Sequence, residues 1–108
     1  MGKFIISKRA NDQFQFNLKA DNNQVILTSQ GYATKHACET GIASVRENSA
    51  DDENFERNKS SNGKHYFNLK AANSKIIGTS EMYETISNME IGIASVKKNA
   101  HGAEILEE

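Results

Sequence analysis

Phe14, Phe16, Leu18 and Ala20 alternate with Gln13, Gln15, Asn17 and Lys19. That period of two predicts a strand with one buried face, because successive side chains of an extended chain point to opposite sides. The pattern returns later in the chain, with His65, Phe67, Leu69 and Ala71 set against Lys64, Tyr66, Asn68 and Lys70. An Asn-containing turn follows each alternation, at Asp21-Asn22-Asn23 and at Ala72-Asn73-Ser74, and leads into a β-branched run, "QVILTS" or "KIIGTS". Before the second alternation stands Asn62-Gly63, which reads as a tight hairpin turn with both central residues at positive φ. Asn11-Asp12 takes the same place in the first. Each copy therefore predicts three successive antiparallel strands, a meander.

After Tyr32 and Tyr83 the period changes to that of a helix. Thr34 and Thr85 are placed to cap it, since a hydroxyl there accepts from a free N–H of the first turn. At about 100° per residue, Cys38, Gly41, Ile42 and Val45 fall on one stripe, and Met89, Gly92, Ile93 and Val96 on its counterpart. Asn48 and Asn99 read as the helix ends, Asn being tolerated in the left-handed conformation common there. A helix-interior Gly costs about 1 kcal/mol relative to Ala, yet each copy puts one on its apolar stripe. This predicts a close backbone approach of helix to sheet at Gly41 and Gly92.

The two copies are one phrase repeated. Residues Phe16–Tyr32 fall on Phe67–Tyr83 without a gap, at the same offset of 51 that carries "GIASV" from Gly41 to Gly92. Phe4, Phe55 and Leu106 share that spacing, so the segment around Phe55 both follows the first helix and opens the second copy. The reading is a strand shared by both halves. "SADDEN" is short and the chain has no Pro, which argues against a linker between separate domains. Together these predict an α+β fold in one domain, residues 1–108, of two tandem β3-α-β repeats (about 1–53 and 54–108). They form one antiparallel sheet with both helices on one face, stitched together by the strand that the halves share.

Through "FNLKA", "GTSEMY" and "GIASVKKNA" the chain resembles the YegP-like family of small bacterial proteins of unknown function, along nearly its whole length. The resemblance implies tandem β3-α-β halves sharing one sheet and exchanging their last strands, an arrangement that single-repeat relatives reach by dimerising. The family carries no established activity, so it transfers no catalytic residues. Copy one departs from the usual phrase at Leu27 and Gly31, which stand against Gly78 and Met82, so strict symmetry of the halves is not implied.

Composition narrows the function classes. With 13 Lys and Arg against 14 Asp and Glu, the net charge is −1, which offers no global attraction for nucleic acid or anionic lipid. No run approaches the roughly 18 apolar residues of a membrane helix. The start "MGKFIISKRA" lacks the features of a signal peptide. One cysteine cannot form an intramolecular disulfide, which fits a reducing cytoplasm. Because both repeats lie in one chain, a monomer is expected.

Catalytic motifs are absent: no phosphate-binding loop, HExxH, paired CxxC or nucleophile elbow occurs. His36 and Cys38 lie about 200° apart on the predicted helix and cannot share a metal; Cys38 reads as a small buried hydrophobe matched by Met89. His65 falls at the core edge and His101 in the loop after the second helix. Asp51, Asp52, Glu107 and Glu108 are expected to be solvated carboxylates of loops and tail. Tyr32 and Tyr83 are expected to pack their rings down with the hydroxyls reaching water. The structural set is thus Phe16, Phe55, Phe67, Tyr32, Tyr83, Gly41, Ile42, Val45, Gly92, Ile93 and Val96. The candidate binding face is the polar side of the sheet, where Asn17, Lys19, Tyr66, Asn68 and Lys70, with Gln15, are expected to be exposed. Ile91 lies off the apolar stripe, where copy one has Thr40, and marks a contact surface at most. The functional reading is a small non-enzymatic interaction or ligand-binding module without metal or cofactor. A nucleic-acid binder using the polar face, with Tyr66 stacking and the lysines meeting phosphate, is the alternative; a small-molecule enzyme is the third.

Overall fold

The repeats fold alike because their local signals are alike. In the computed structural model, which describes residues 2–108, the first copy forms β1 (Lys3–Lys8), β2 (Phe14–Lys19), β3 (Val25–Ser29) and α1 (Lys35–Asn48). After a 3-10 turn at Asp52–Asn54, the second forms β4 (Phe55–Lys59), β5 (His65–Lys70), β6 (Ile76–Thr79) and α2 (Ile86–Ala100), and β7 (Glu104–Glu107) closes the chain.

The strand turns share one design, and it is not the two-residue turn that Asn62-Gly63 suggested. Only Gly63, at φ 83°, has positive φ in that turn, and Asp12, Asn23 and Ser74 take the matching place at φ 65°, 66° and 68°. Each turn is closed twice, as by the Gly63 N–H to the Ser60 carbonyl (3.0 Å) and the Ser60 N–H to that of Lys64 (2.7 Å). This is a three-residue loop ending in a left-handed residue. An Asn precedes or opens each loop's last step: the side-chain oxygens of Asn11, Asn22, Asn62 and Asn73 accept from the N–H two residues on, at 3.0–3.3 Å.

Both helices begin as their caps dictate, with the Thr34 hydroxyl accepting from the Ala37 N–H and that of Thr85 from the Asn88 N–H, each at 3.0 Å. Their ends differ from expectation. Neither Asn48 nor Asn99 is left-handed, and α2 runs on to Ala100. Each amide instead donates back to the carbonyl four residues earlier, Ser44 (2.9 Å) or Ser95 (2.8 Å). Helix α1 does end at Asn48, but without a left-handed Asn, and α2 ends one residue beyond Asn99.

The strand order is β4-β5-β6-β3-β2-β1-β7. The halves meet at β3 and β6, where Thr28 faces Thr79. The chain leaving α1 enters β4 at the far edge of the other half, and the chain leaving α2 enters β7 at the opposite edge. Exchange of the last strands is therefore present, with one difference between the edges. The place beside β2 that would match β4 beside β5 is held by β1, so β7 must lie outside it, and it pairs parallel (Phe4 with Ile105, Ile5 with Leu106). The sheet is thus mixed, where an antiparallel one was expected. Arg46 holds the incoming segment by donating to the Ala103 carbonyl (2.6 Å), and Lys35 pairs with Glu107 (2.6 Å).

Both helices cover the same face, α1 resting on β2, β5 and β6 and α2 on β5, β3 and β2. Beneath them one cluster joins Phe4, Phe16, Leu18, Phe55, Phe67 and Leu69 of the strands to Cys38, Ile42, Val45, Met89, Ile93 and Val96 of the helices. Near the centre the repeats diverge for want of space. A Cβ on Gly78 would lie 2.8 Å from Leu27 Cγ, and Leu27 is fully buried, so one leucine fills the volume that two symmetric ones would contest.

Candidate functional site

At Gly41 and Gly92 the expected close approach exists, but its partner is an aromatic ring and not sheet backbone. A Cβ on Gly41 would meet the hydroxyl of Tyr32 and come within 2.8 Å of its Cζ; Gly92 stands in the same relation to Tyr83, at 2.7 Å. Each tyrosine follows its third strand and bridges back to the start of the second (Phe14 with Tyr32, His65 with Tyr83). Its ring is stacked on Phe16 or Phe67, with centroids 6.4 Å apart in both cases. The hydroxyls therefore reach under the helices, where free projection into water was expected. Burial raises the pKa of both phenols above the ordinary value.

Each ring helps floor a groove between one repeat's helix and the other repeat's β-turn. The larger, about 550 Å³, lies between α1 and the β5–β6 turn. Tyr32, Ala37, Ile76 and Ile77 make its walls apolar, and His36, Thr40 and Lys75 stand at its rim. Its counterpart, about 330 Å³, lies between α2 and the β2–β3 turn and is lined by Tyr83, Gly92, Ile26 and Gln24, with Ile91 where the first groove has Thr40. Ile91, unassigned by periodicity, is 64% exposed and belongs to this wall. The offset of 51 residues relates the two grooves position by position. The sequence could have disclosed them only once α1 was known to face the second repeat.

The uncovered sheet face differs from expectation in a way that separates the halves. A row of side chains crosses all seven strands on this face: Glu56, Asn68, Thr79, Thr28, Asn17, Ile5 and Leu106. At its centre the Thr79 hydroxyl donates to Asn68 Oδ1 (2.7 Å), and the Thr28 hydroxyl to Asn17 Oδ1 (2.8 Å). In the second half the row ends in a closed network. Glu56 accepts from Asn58 Nδ2 (3.0 Å), Asn68 Nδ2 (3.0 Å) and Lys70 Nζ (2.6 Å). These bonds, with that from Asn58 foremost and those from Lys70 and Asn68 behind it, hold the Glu56 carboxyl down at about 2. Asn68, expected to be exposed, is buried at 7% exposure, and Lys70 and Tyr66 are half-buried. Asn17, Lys19 and Gln15 are half-buried too, and Gln15 accepts from Arg9 Nε (2.6 Å).

Other candidates stand as follows. Cys38 is fully buried, and its thiol is pushed up to about 11, first by burial and then by the charge of Glu39. His65 is half-buried at the sheet's end, His36 is exposed, and His101 caps α2. Two carboxylates expected to be solvated are ion-paired: Asp52 accepts from Lys97 (2.7 Å) and Arg57 (3.1 Å), and Glu107 from Lys35. Both bonds to Asp52 lower its pKa, that from Lys97 the more. Arg57 also chelates Glu90, through Nε at 2.6 Å and Nη2 at 3.0 Å. Spacing alone could not find this cluster, since it joins β4, the 3-10 turn and α2.

Fold, duplication and edge exchange define a tandem-repeat α+β protein whose halves complete one another. The chain belongs to the family described as "Domain of unknown function (DUF1508)", whose model matches twice, at residues 10–56 and 60–107. The UPF0339 protein YegP of Escherichia coli K12 is 56% identical over 98 residues, covering 91% of this chain and 89% of the relative. A UPF0339 protein of Acinetobacter baylyi is 47% identical over 104 residues, covering 96% and 94%. The solution NMR structure of E. coli YegP, a protein of unknown function, superposes with a TM-score of 0.94 at 51% identity, over 99% of this chain and 92% of that one. That of a UPF0339 protein from Shewanella oneidensis gives 0.92 at 45% identity, over 98% and 90%. These relatives carry no assigned activity.

Proposed function

We propose that this chain is a non-enzymatic, monomeric ligand-binding module of the cytoplasm, and that its α1 groove takes a small molecule with an apolar body. The observation that carries the reading is the groove itself. Its volume of about 550 Å³ falls in the range of small-molecule sites, which are largely apolar with a few polar groups at the edge. Non-enzymatic action is supported by Cys38, whose protonated, buried thiol offers no nucleophile, since the thiolate is the reactive form. The same free thiol accords with a reducing compartment. A monomer is supported by the strand exchange, which is completed within one chain. Direct nucleic-acid binding has less support, because Lys70 is engaged by Glu56 and Tyr66 is half-buried.

The test is an amide NMR titration of the labelled protein with a library of neutral aromatic and aliphatic fragments. Saturable shifts at Ala37, Thr40 and Ile77 are expected for some of them, weakened by Thr40→Trp, which fills the groove from its rim. A library that leaves these amides unmoved would sink the reading.

A further inference from the structure

The second half contains a worked example of carboxylate binding, and the first half repeats its donors without the carboxylate. In the second half Asn68, Asn58 and Lys70 converge on Glu56. Asn68 is aimed, because Thr79 holds its oxygen and so turns its NH2 toward β4. In the first half Thr28 holds Asn17 in the same way, at 2.8 Å, which turns Asn17 Nδ2 toward β1. Lys19 stands on β2 as Lys70 stands on β5. At the place of Glu56, however, stands Ile5, and at that of Asn58 stands Ser7.

The Asn17 amide is therefore oriented, with Lys19 two residues along the same strand face, at a spot where their own chain supplies no acceptor. Among the described residues neither Asn17 Nδ2 nor Lys19 Nζ has a hydrogen-bond or ion-pair partner. Charges of both signs surround the spot, with Asp21 two residues along the chain from Lys19. Lys3 is the cross-strand neighbour of Lys19, and Glu104 lies beyond Lys3, two strands and roughly 10 Å from Lys19. Arg9 is turned to Gln15. Below this spot the surface is apolar, with Ile5 half-buried and Leu106 beside it on β7, 38% exposed.

We propose that the open sheet face of the first half is a binding site for a small amphipathic carboxylate. The ligand's carboxylate takes the position that Glu56 occupies in the second half, accepting from Asn17 Nδ2 and Lys19 Nζ, while its aliphatic or aryl-aliphatic body lies across Ile5 and Leu106. Specificity for the carboxylate comes from preorganisation: the Asn17 amide is already aimed, so little ordering accompanies binding. Because the site is shallow and its lysine half-solvated, the ion pair contributes modestly, and affinity for a minimal ligand is on the order of millimolar. This site is separate from the α1 groove and lies on the opposite face of the sheet.

The test uses the labelled full chain and 4-phenylbutyrate, with 4-phenylbutyramide as the uncharged control. Saturable shifts of the Asn17 side-chain NH2 and of the Ile5, Lys19 and Leu106 amides are expected with the acid and not with the amide. Ile5→Glu supplies the carboxylate in cis, as the second half already does without harm to the fold, and is expected to weaken binding at least tenfold. Glu56→Ile is expected to open the equivalent site, adding shifts at the Asn68 side chain and Lys70. Equal shifts with the amide, or undiminished binding in Ile5→Glu, would overturn the proposal. So would an acid that leaves Asn17 and Lys19 unmoved in the wild type. Acid-induced shifts confined to Ala37, Thr40 and Ile77 would also overturn it while leaving the groove reading intact.

Discussion

The hydroxyl of Tyr32 occupies the space that a side chain on Gly41 would fill, and Tyr83 and Gly92 repeat the arrangement. Helix and sheet are thus joined twice by the same interlock, a ring stacked on a strand phenylalanine and inserted beneath a helix glycine. Withdrawing either ring to admit a methyl group would break that stacking. Gly41→Ala gains about 1 kcal/mol of helix propensity but incurs overpacking of about 1–3 kcal/mol. A net loss of stability of up to about 2 kcal/mol is expected, read as a thermal midpoint lowered by up to roughly 10 °C. In Gly41→Ala combined with Tyr32→Leu the two losses should be less than additive, because one variant removes the obstacle that the other meets.

Leu27 and Gly78 form a second such pair, across the junction of the halves. Gly78→Ala places a methyl 2.8 Å from Leu27 Cγ and 3.1 Å from the Thr28 carbonyl oxygen. It is expected to destabilise by about 1–3 kcal/mol. Leu27→Val in the same chain should restore part of that, measured by urea unfolding. A double variant as unstable as the sum of the single ones would show that the backbone contact, and not the leucine, sets the limit.

Acid should weaken the fold through Glu56. Its folded-state pKa lies near 2, against an ordinary value of 4.5. A depressed carboxylate contributes stability that is complete above its unfolded pKa and is lost as pH falls through its folded one. Stability should therefore decline between about pH 4.5 and 2, with Asp52 and Glu90, both lowered, adding to the same slope. Glu56→Gln should flatten that part of the pH profile in calorimetric scans, and an unchanged slope would remove Glu56 from the account.

The Cys38 thiol, raised to about 11 and fully buried, should resist alkylation by iodoacetamide at pH 8 in the native state. It should react at the rate of an ordinary thiol in denaturant. Its protection factor then reports opening of α1 from the sheet. Rapid native-state labelling would contradict the buried placement.

Much of the architecture was legible in the chain by itself. Period two in "FQFNLK" and "HYFNLK", the shift to helical spacing after Tyr32 and Tyr83, the threonine caps and the offset of 51 all express local rules, set by neighbours a few residues away. The equal spacing of Phe4, Phe55 and Leu106 pointed to a strand shared by the halves, and the family resemblance to exchange of the last strands. Most other features depend on residues distant along the chain. Where β7 lies follows from β1 already holding the place beside β2, a competition that no local pattern records. The ring under Gly41, the leucine against Gly78 and the carboxylate of Glu56 among Asn58, Asn68 and Lys70 are likewise encounters between elements. Periodicity can state that Asn17 and Asn68 share the polar face. Only the tertiary register, by setting Ile5 against one and Glu56 against the other, decides that the first amide stays open to a ligand while the second is closed by its own chain.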